Sequence, residues 1–136
     1  MKFSEQDQKD LFRCIAAIFH LGNLSFETNK YDLADITASS TTVMEKLCHV
    51  LGVSVNEFTK SLLKPQIKAG KDFVTQAKTV EQVLYSVEAL ARNIYERMFG
   101  YIVDKINETI NSSSTKSSYI GVLDIAGFEI FEVTLI

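Results

Sequence analysis

Ser118-Tyr119-Ile120-Gly121-Val122-Leu123-Asp124-Ile125-Ala126-Gly127-Phe128-Glu129 is an apolar, β-prone run that halts at an aspartate, with a glycine three residues further on. In phosphate-binding α/β proteins a carboxylate at the carboxyl end of a buried strand is placed to hold Mg²⁺. A glycine just beyond it lets the backbone approach a terminal phosphate closely, N–H first. Asp124-x-x-Gly127 is therefore a candidate nucleotide-sensing switch. Many buried strands also end in Asp and a Gly turn for structural reasons alone, and the bare pattern does not choose between the two.

Working outward, the 136 residues amount to one domain with a modest core. Apolar residues make up 46% and charged ones 23%, which suits a globular chain rather than a disordered one. A net charge of −3 gives no global case for binding nucleic acid or a membrane. No apolar run reaches the roughly 18 to 20 residues needed to span a bilayer. The amino end, Met1 to Asp7, is polar and acidic, unlike a secretory signal. Cys14 and Cys48 sit singly in helical patterns and read as buried thiols, while His20 and His49 offer no zinc spacing. The expected compartment is the cytosol.

The chain before the opening stretch is patterned mostly as helix. Ser4 with Asp7 approximates a capping box, and Leu11, Phe12, Ile15, Ala16, Ile18, Phe19 and Leu21 form a face broad enough for burial on most sides, ended by Gly22. Asn23 to Glu27 fits a short strand or an extended exit, and the polar 28–40 segment reads as a surface loop. A second helix is expected from a cap at Thr41 or Thr42 to Gly52, and a third from the Ser54/Glu57 capping box to Pro65. Ile67 to Thr75 reads as two extended arms around Ala69-Gly70. From Thr79 and Gln82, another capping box, apolar residues keep helix period for about thirty residues, or roughly 45 Å. That stripe reads as core, and Asn111 to Ser117 as a flexible polar connector.

Charge is uneven along this path. Between Thr59 and Lys78 stand five lysines, Lys60, Lys64, Lys68, Lys71 and Lys78, against the single acid Asp72. Such a cluster is either an ordinary solvated face or a contact surface for an acidic partner. A phosphate cradle of the form Gly-x-x-x-x-Gly-Lys-Ser/Thr does not occur. Gly70-Lys71 is followed by Asp72, and Pro65 stands where the first glycine belongs.

Three ordered blocks resemble one family. Leu123 to Glu132 is similar to switch II of the myosin motor head, in the form typical of class II heavy chains. Phe12 to Phe26, with Ala16-Ala17-Ile18-Phe19-His20-Leu21-Gly22-Asn23, resembles the family's helix ending in His-Leu-Gly-Asn. Glu88-Ala89-Leu90-Ala91-Arg92 with Tyr95-Glu96-Arg97-Met98-Phe99 resembles its Ala-Leu-Ala-Lys helix and continuation. The resemblance implies a mainly α chain with a little β, part of the P-loop NTPase-type α/β motor domain: its upper head region plus one strand of the central sheet. It divides the chain into a helical segment (1–64), an actin-contacting loop (65–78), a long helix (79–111), and a central-sheet strand with switch II (118–132).

The resemblance also implies roles. Asp124 would position Mg²⁺ through water, the Gly127 N–H would meet the γ-phosphate of ATP, and Glu129 would help hold the attacking water; Glu129 and Gly127 are the catalytic candidates, Asp124 and Gly127 the nucleotide-binding ones. Lys68, Lys71 and Asp72 would face the actin filament. Members carry an acidic or phosphorylatable residue sixteen positions before the block that begins here at Glu88, and that position is Asp72, so no phosphorylation is expected to be needed. Implied partners are actin and the remainder of the heavy chain, with no nucleic acid or membrane, in the cytoplasmic actin cytoskeleton.

The P-loop and switch I of the family are expected upstream of residue 1, and after Glu132 the chain departs from the family's Asn-Ser-Phe-Glu-Gln into Val133-Thr134-Leu135-Ile136. The expectation is thus an internal or truncated piece of a motor head, with a non-enzymatic helical actin-binding module or an inert product as alternatives. ATP and Mg²⁺ belong to the intact motor, and neither is expected to bind this chain alone. The purified 136-residue chain should show no ATPase activity; actin-stimulated phosphate release above background would overturn this.

Overall fold

A computed structural model describes residues 3–110 and Gly121. The connector and the strand with switch II expected over 118–132, apart from Gly121, lie outside the described residues, as do Asp124, Gly127 and Glu129. The order is α1 (Glu5–Gly22), β1 (Phe26–Thr28), β2 (Ala34–Ile36), α2 (Ala38–Leu51), α3 (Val55–Leu63), β3 (Gln66–Ala69), β4 (Asp72–Thr75) and α4 (Val80–Ile110). The described part is mainly helical, with two antiparallel two-stranded sheets.

Local chemistry fixes the helix ends. The Asp7 N–H donates to Ser4 Oγ at 3.0 Å while the Ser4 N–H donates back to the Asp7 carboxylate at 2.9 Å, a complete capping box for α1. Thr79 and Gln82 repeat the reciprocal pair at α4, at 3.1 and 3.4 Å. On α3 the Ser54 hydroxyl accepts from the Glu57 N–H at 3.5 Å. Gly52 closes α2 at φ 70°, in the left-handed region that glycine enters without a Cβ penalty.

The 28–40 segment differs from its expected loop. Phe26 pairs with Ile36 and Thr28 with Ala34 in an antiparallel hairpin. The side-chain oxygen of Asn29 accepts from the N–H groups of Tyr31 (2.9 Å) and Leu33 (3.2 Å), folding the polar residues into a turn. Ala34 is buried, with Phe26 and Ile36 packed beside the core, so three-residue strands carry the alternation. The second helix also begins earlier, with Thr37 rather than Thr41 or Thr42 as cap residue. The Thr37 hydroxyl instead meets Ser25 Oγ at 2.7 Å, and Ser25 Oγ meets the buried Ser40 hydroxyl at 2.8 Å. A chain of hydroxyls thus ties the exit of α1 to the first turn of α2.

The core lies where α1 packs on α2 and α4. Leu21, Met44, Leu47, Cys48 and Val83 are fully buried there. The broad face expected of α1 is not buried as a whole: Leu21 points inward with Ala17, which lay outside that face, whereas Phe12 and Phe19, on the opposite side of the helix, are 70% and 68% exposed. On α4 the stripe enters the core through Val83 and Val87, and the distal Tyr95 and Phe99 rings stack at 6.1 Å on the surface. Leu47→Ala should lower the unfolding free energy by about 2–5 kcal/mol, because a fully buried leucine leaves a cavity as well as losing its burial. Urea unfolding followed by circular dichroism would check this, and a loss below about 1 kcal/mol would show that the site collapses around the smaller side chain.

Candidate functional site

The lysine-bearing segment forms a two-stranded ribbon. Gln66 pairs with Thr75, Ile67 with Val74, Lys68 with Phe73 and Ala69 with Asp72, leaving Gly70-Lys71 as the turn. The turn therefore sits one residue later than the Ala69-Gly70 expected from sequence. Gly70 has φ 67°, and glycine at the first of two turn positions suits the right-handed twist of a hairpin. A Cβ on Gly70 would meet nothing within 4 Å, so backbone conformation rather than space favours glycine there.

Register decides what each face carries. Directly paired residues share a face, and faces alternate along each strand. Gln66, Lys68, Phe73 and Thr75 therefore line one side, and Ile67, Ala69, Asp72 and Val74 the other. Lys68 and Asp72 lie on opposite faces, with Lys71 at the tip between them. All eight strand residues are exposed. Among the described residues, Lys68, Lys71 and Asp72 take part in none of the ion pairs.

The ribbon is fastened at its foot. The Gln76 N–H donates to the Pro65 carbonyl at 2.9 Å and the Lys78 N–H to the Leu63 carbonyl at 3.0 Å, while the Lys78 carbonyl accepts from the Ala34 N–H at 2.9 Å. Of the five lysines, Lys78 is withdrawn: it is half-buried, and its ammonium donates to Ser86 Oγ at 2.7 Å. Lys60 and Lys64 remain exposed on α3 and its cap, bordering a groove of about 540 Å³ with Glu57, Ser61, Pro65 and Gln66. Sequence reading counted these lysines but missed the groove, whose signal was their spacing of four on a helix running directly into the ribbon.

A second groove, of about 450 Å³, separates α1 from α4 and is lined by Asp7, Asp10, Leu11, Cys14, Ile94, Arg97, Met98 and Tyr101. Across it the Tyr101 hydroxyl donates to Asp7 at 2.7 Å. Hydrogen bonds from the Ser4 hydroxyl, the Tyr101 hydroxyl and the Ser4 N–H hold the Asp7 carboxyl down at about 2, from 3.8. The same bond to Asp7 pushes Tyr101 up. Among the described residues no cluster of three or more His, Cys, Asp or Glu suits a metal ion.

The family model described as "Myosin head (motor domain)" matches residues 1–134. The chain belongs to the myosin head family. It is 43% identical over 130 residues to the fission-yeast (Schizosaccharomyces pombe) protein named myosin type-2 heavy chain 1, covering 96% of this chain and 8% of that protein. It is 41% identical over 134 residues to the Drosophila melanogaster protein named myosin heavy chain, non-muscle, covering 98% of this chain and 6% of that one. The chain thus spans less than a tenth of the length of these myosins. The matched span contains both the ribbon and the Asp124-to-Glu129 stretch. No helix among the described residues is long and apolar enough to cross a membrane.

The Asp7 network sets a pH dependence. Its folded pKa lies below the unfolded value, so its contribution to stability is complete above about 3.8 and is lost as pH falls through about 2. Tyr101→Phe should raise the Asp7 pKa toward 3.8 and shrink that acid-dependent loss. Side-chain NMR titration with acid unfolding would check it; identical Asp7 titration in the two proteins would show that the tyrosine bond does not hold the carboxylate.

Proposed function

We propose that this chain is part of an actin-based, ATP-driven motor head, contributing one segment that senses nucleotide and one that contacts the filament. The observation that carries the filament half is the ribbon: exposed along both strands, bearing Lys68 and Lys71, which form no ion pair among the described residues, and fastened to the body at its foot. A hydrogen-bonded base with exposed cations beyond it suits contact with an acidic surface, since part of the ordering cost is met before binding and the charges attract an acidic partner. Asp72, on the opposite face from Lys68, is the acid the resemblance places in this loop.

The nucleotide half rests on Asp124, Gly127 and Glu129 and on family membership. Their donor set fits ATP with Mg²⁺: a carboxylate oxygen is a hard ligand for Mg²⁺, and a glycine N–H can approach a phosphate oxygen without a side chain intervening. When bound, Mg²⁺ neutralises charge on the phosphates. Asp124 would hold the ion through water, Gly127 would donate to the γ-phosphate, and Glu129 would orient the attacking water. The segment would then couple phosphate contact to the rest of the head as a two-state element.

The remainder of the heavy chain is the second proposed partner, in the cytoplasmic actin cytoskeleton. The outward stripe Phe12, Ile15 and Phe19 on α1 and the stacked Tyr95 and Phe99 on α4 offer the apolar surface it would cover. A filament-binding module without hydrolysis is the second reading, favoured by the same ribbon because its contact needs no nucleotide.

The 136-residue chain should co-sediment with actin filaments at low salt and be released as ionic strength rises. Lys68→Glu/Lys71→Glu should weaken this about tenfold or more, since both attractions become repulsions. Unchanged co-sedimentation of the double variant would remove the ribbon from the contact.

A further inference from the structure

The positive charge next to the ribbon does not stop where the strands begin. Lys60 and Lys64 stand four residues apart, one helical turn, and Pro65 turns the chain from Lys64 straight into β3. Both border the groove of about 540 Å³ at the ribbon's foot, and Gln66 borders it too. Gln66 shares its ribbon face with Lys68 and Phe73, because residues two apart on a strand point the same way. The ribbon residue that borders the groove thus belongs to the Lys68 side, and none of the Asp72 side lines it. Among the described residues neither Lys60 nor Lys64 is ion-paired.

Opposing charge is sparse along this track. Glu57, one turn before Lys60 on α3, borders the same groove as its one acid and occupies the favourable first turn of that helix. Asp35 faces Lys60 and Lys64 across a separate groove on the other flank, and its carboxylate already accepts from the Asn29 side-chain amide at 3.1 Å. Asp72 is turned away by the register. Followed along the chain, the path from Lys60 through Lys64 to Lys68 is at most roughly 20 Å, one helical turn, the turn at Pro65 and three residues of β3, within the reach of about six extended residues.

We propose that the filament-contacting surface runs from the Lys68 face of the ribbon into the groove at its foot, where Lys60 and Lys64 receive one extended acidic segment of the actin filament. This rests on the reading of the ribbon as the filament-contacting element and extends it to two residues of α3. The geometry also assigns a side: the Lys68 and Phe73 face meets the acidic segment, and the Ile67 and Val74 face does not.

The test is co-sedimentation of the 136-residue chain with actin filaments across a salt series. Compared are the parent chain, Lys60→Glu/Lys64→Glu, Lys68→Glu/Lys71→Glu, and an equal-charge control, Lys30→Glu/Lys46→Glu, with circular dichroism and melting curves confirming equal helix content. A milder Lys60→Gln/Lys64→Gln pair covers the case in which the reversal disturbs α3. The foot reversal should weaken binding about five- to tenfold at low salt beyond the control, and the neutral pair by less, with a reduced salt dependence for both. If the foot variants bind like the control while the ribbon reversal loses binding, the extension into the groove is wrong and the ribbon contact stands. If the ribbon reversal also matches the control, or the parent chain does not bind, both fall together.

Discussion

The backbone of one residue, Lys78, ties three pieces of this chain to one another. Its N–H reaches the end of α3 at Leu63, its carbonyl takes the Ala34 N–H of β2, and one residue later Thr79 caps α4. Each backbone bond contributes only about 1 kcal/mol net. Their value is geometric: three segments distant in sequence must arrive at one point. The ammonium of the same residue binds Ser86 in the second turn of α4, so side chain and backbone agree on the direction in which the long helix leaves.

That junction explains the contrast between core and ribbon. Below it, Leu62, Leu63, Val83 and Val87 close against α1 and α2 and exclude water. Above it, the strands leave the body with no buried residue, held by their own ladder and the Gln76-to-Pro65 bond. A two-stranded ribbon alone is marginal in water, so its order is inherited from the anchored foot. The arrangement leaves cations projecting from a fixed base, which favours electrostatic attraction without a large loss of backbone freedom on contact.

Much of the helical architecture was legible because its signals are local. Ser4 and Asp7, Ser54 and Glu57, and Thr79 and Gln82 satisfy or partly satisfy helix ends within four residues, and the stripe from Val80 onward repeats often enough to be read. The hairpin over Phe26 to Ile36 was not legible. Its strands are three residues long, too short for alternation to register, and its turn depends on the Asn29 side chain bonding two N–H groups beyond it. The cap of α2 is displaced for a related reason: the Thr37 hydroxyl pairs with that of Ser25, twelve residues away, and accepts from no N–H of its own helix.

For the candidate site the sequence determined composition and the tertiary structure determined side. Five lysines and one acid were countable, and the switch-like Asp124-x-x-Gly127 and its flanking blocks were enough to indicate the family, because these are properties of adjacent residues. Which lysines face outward together was not. Placing Gly70-Lys71 in the turn put Lys68 and Asp72 on opposite faces, since moving a hairpin by one residue exchanges every face. Packing withdrew Lys78 to Ser86, and the bend at Pro65 brought Lys60 and Lys64 to the ribbon's foot. Charge content is additive along a chain; charge direction is settled only when strands pair and helices pack.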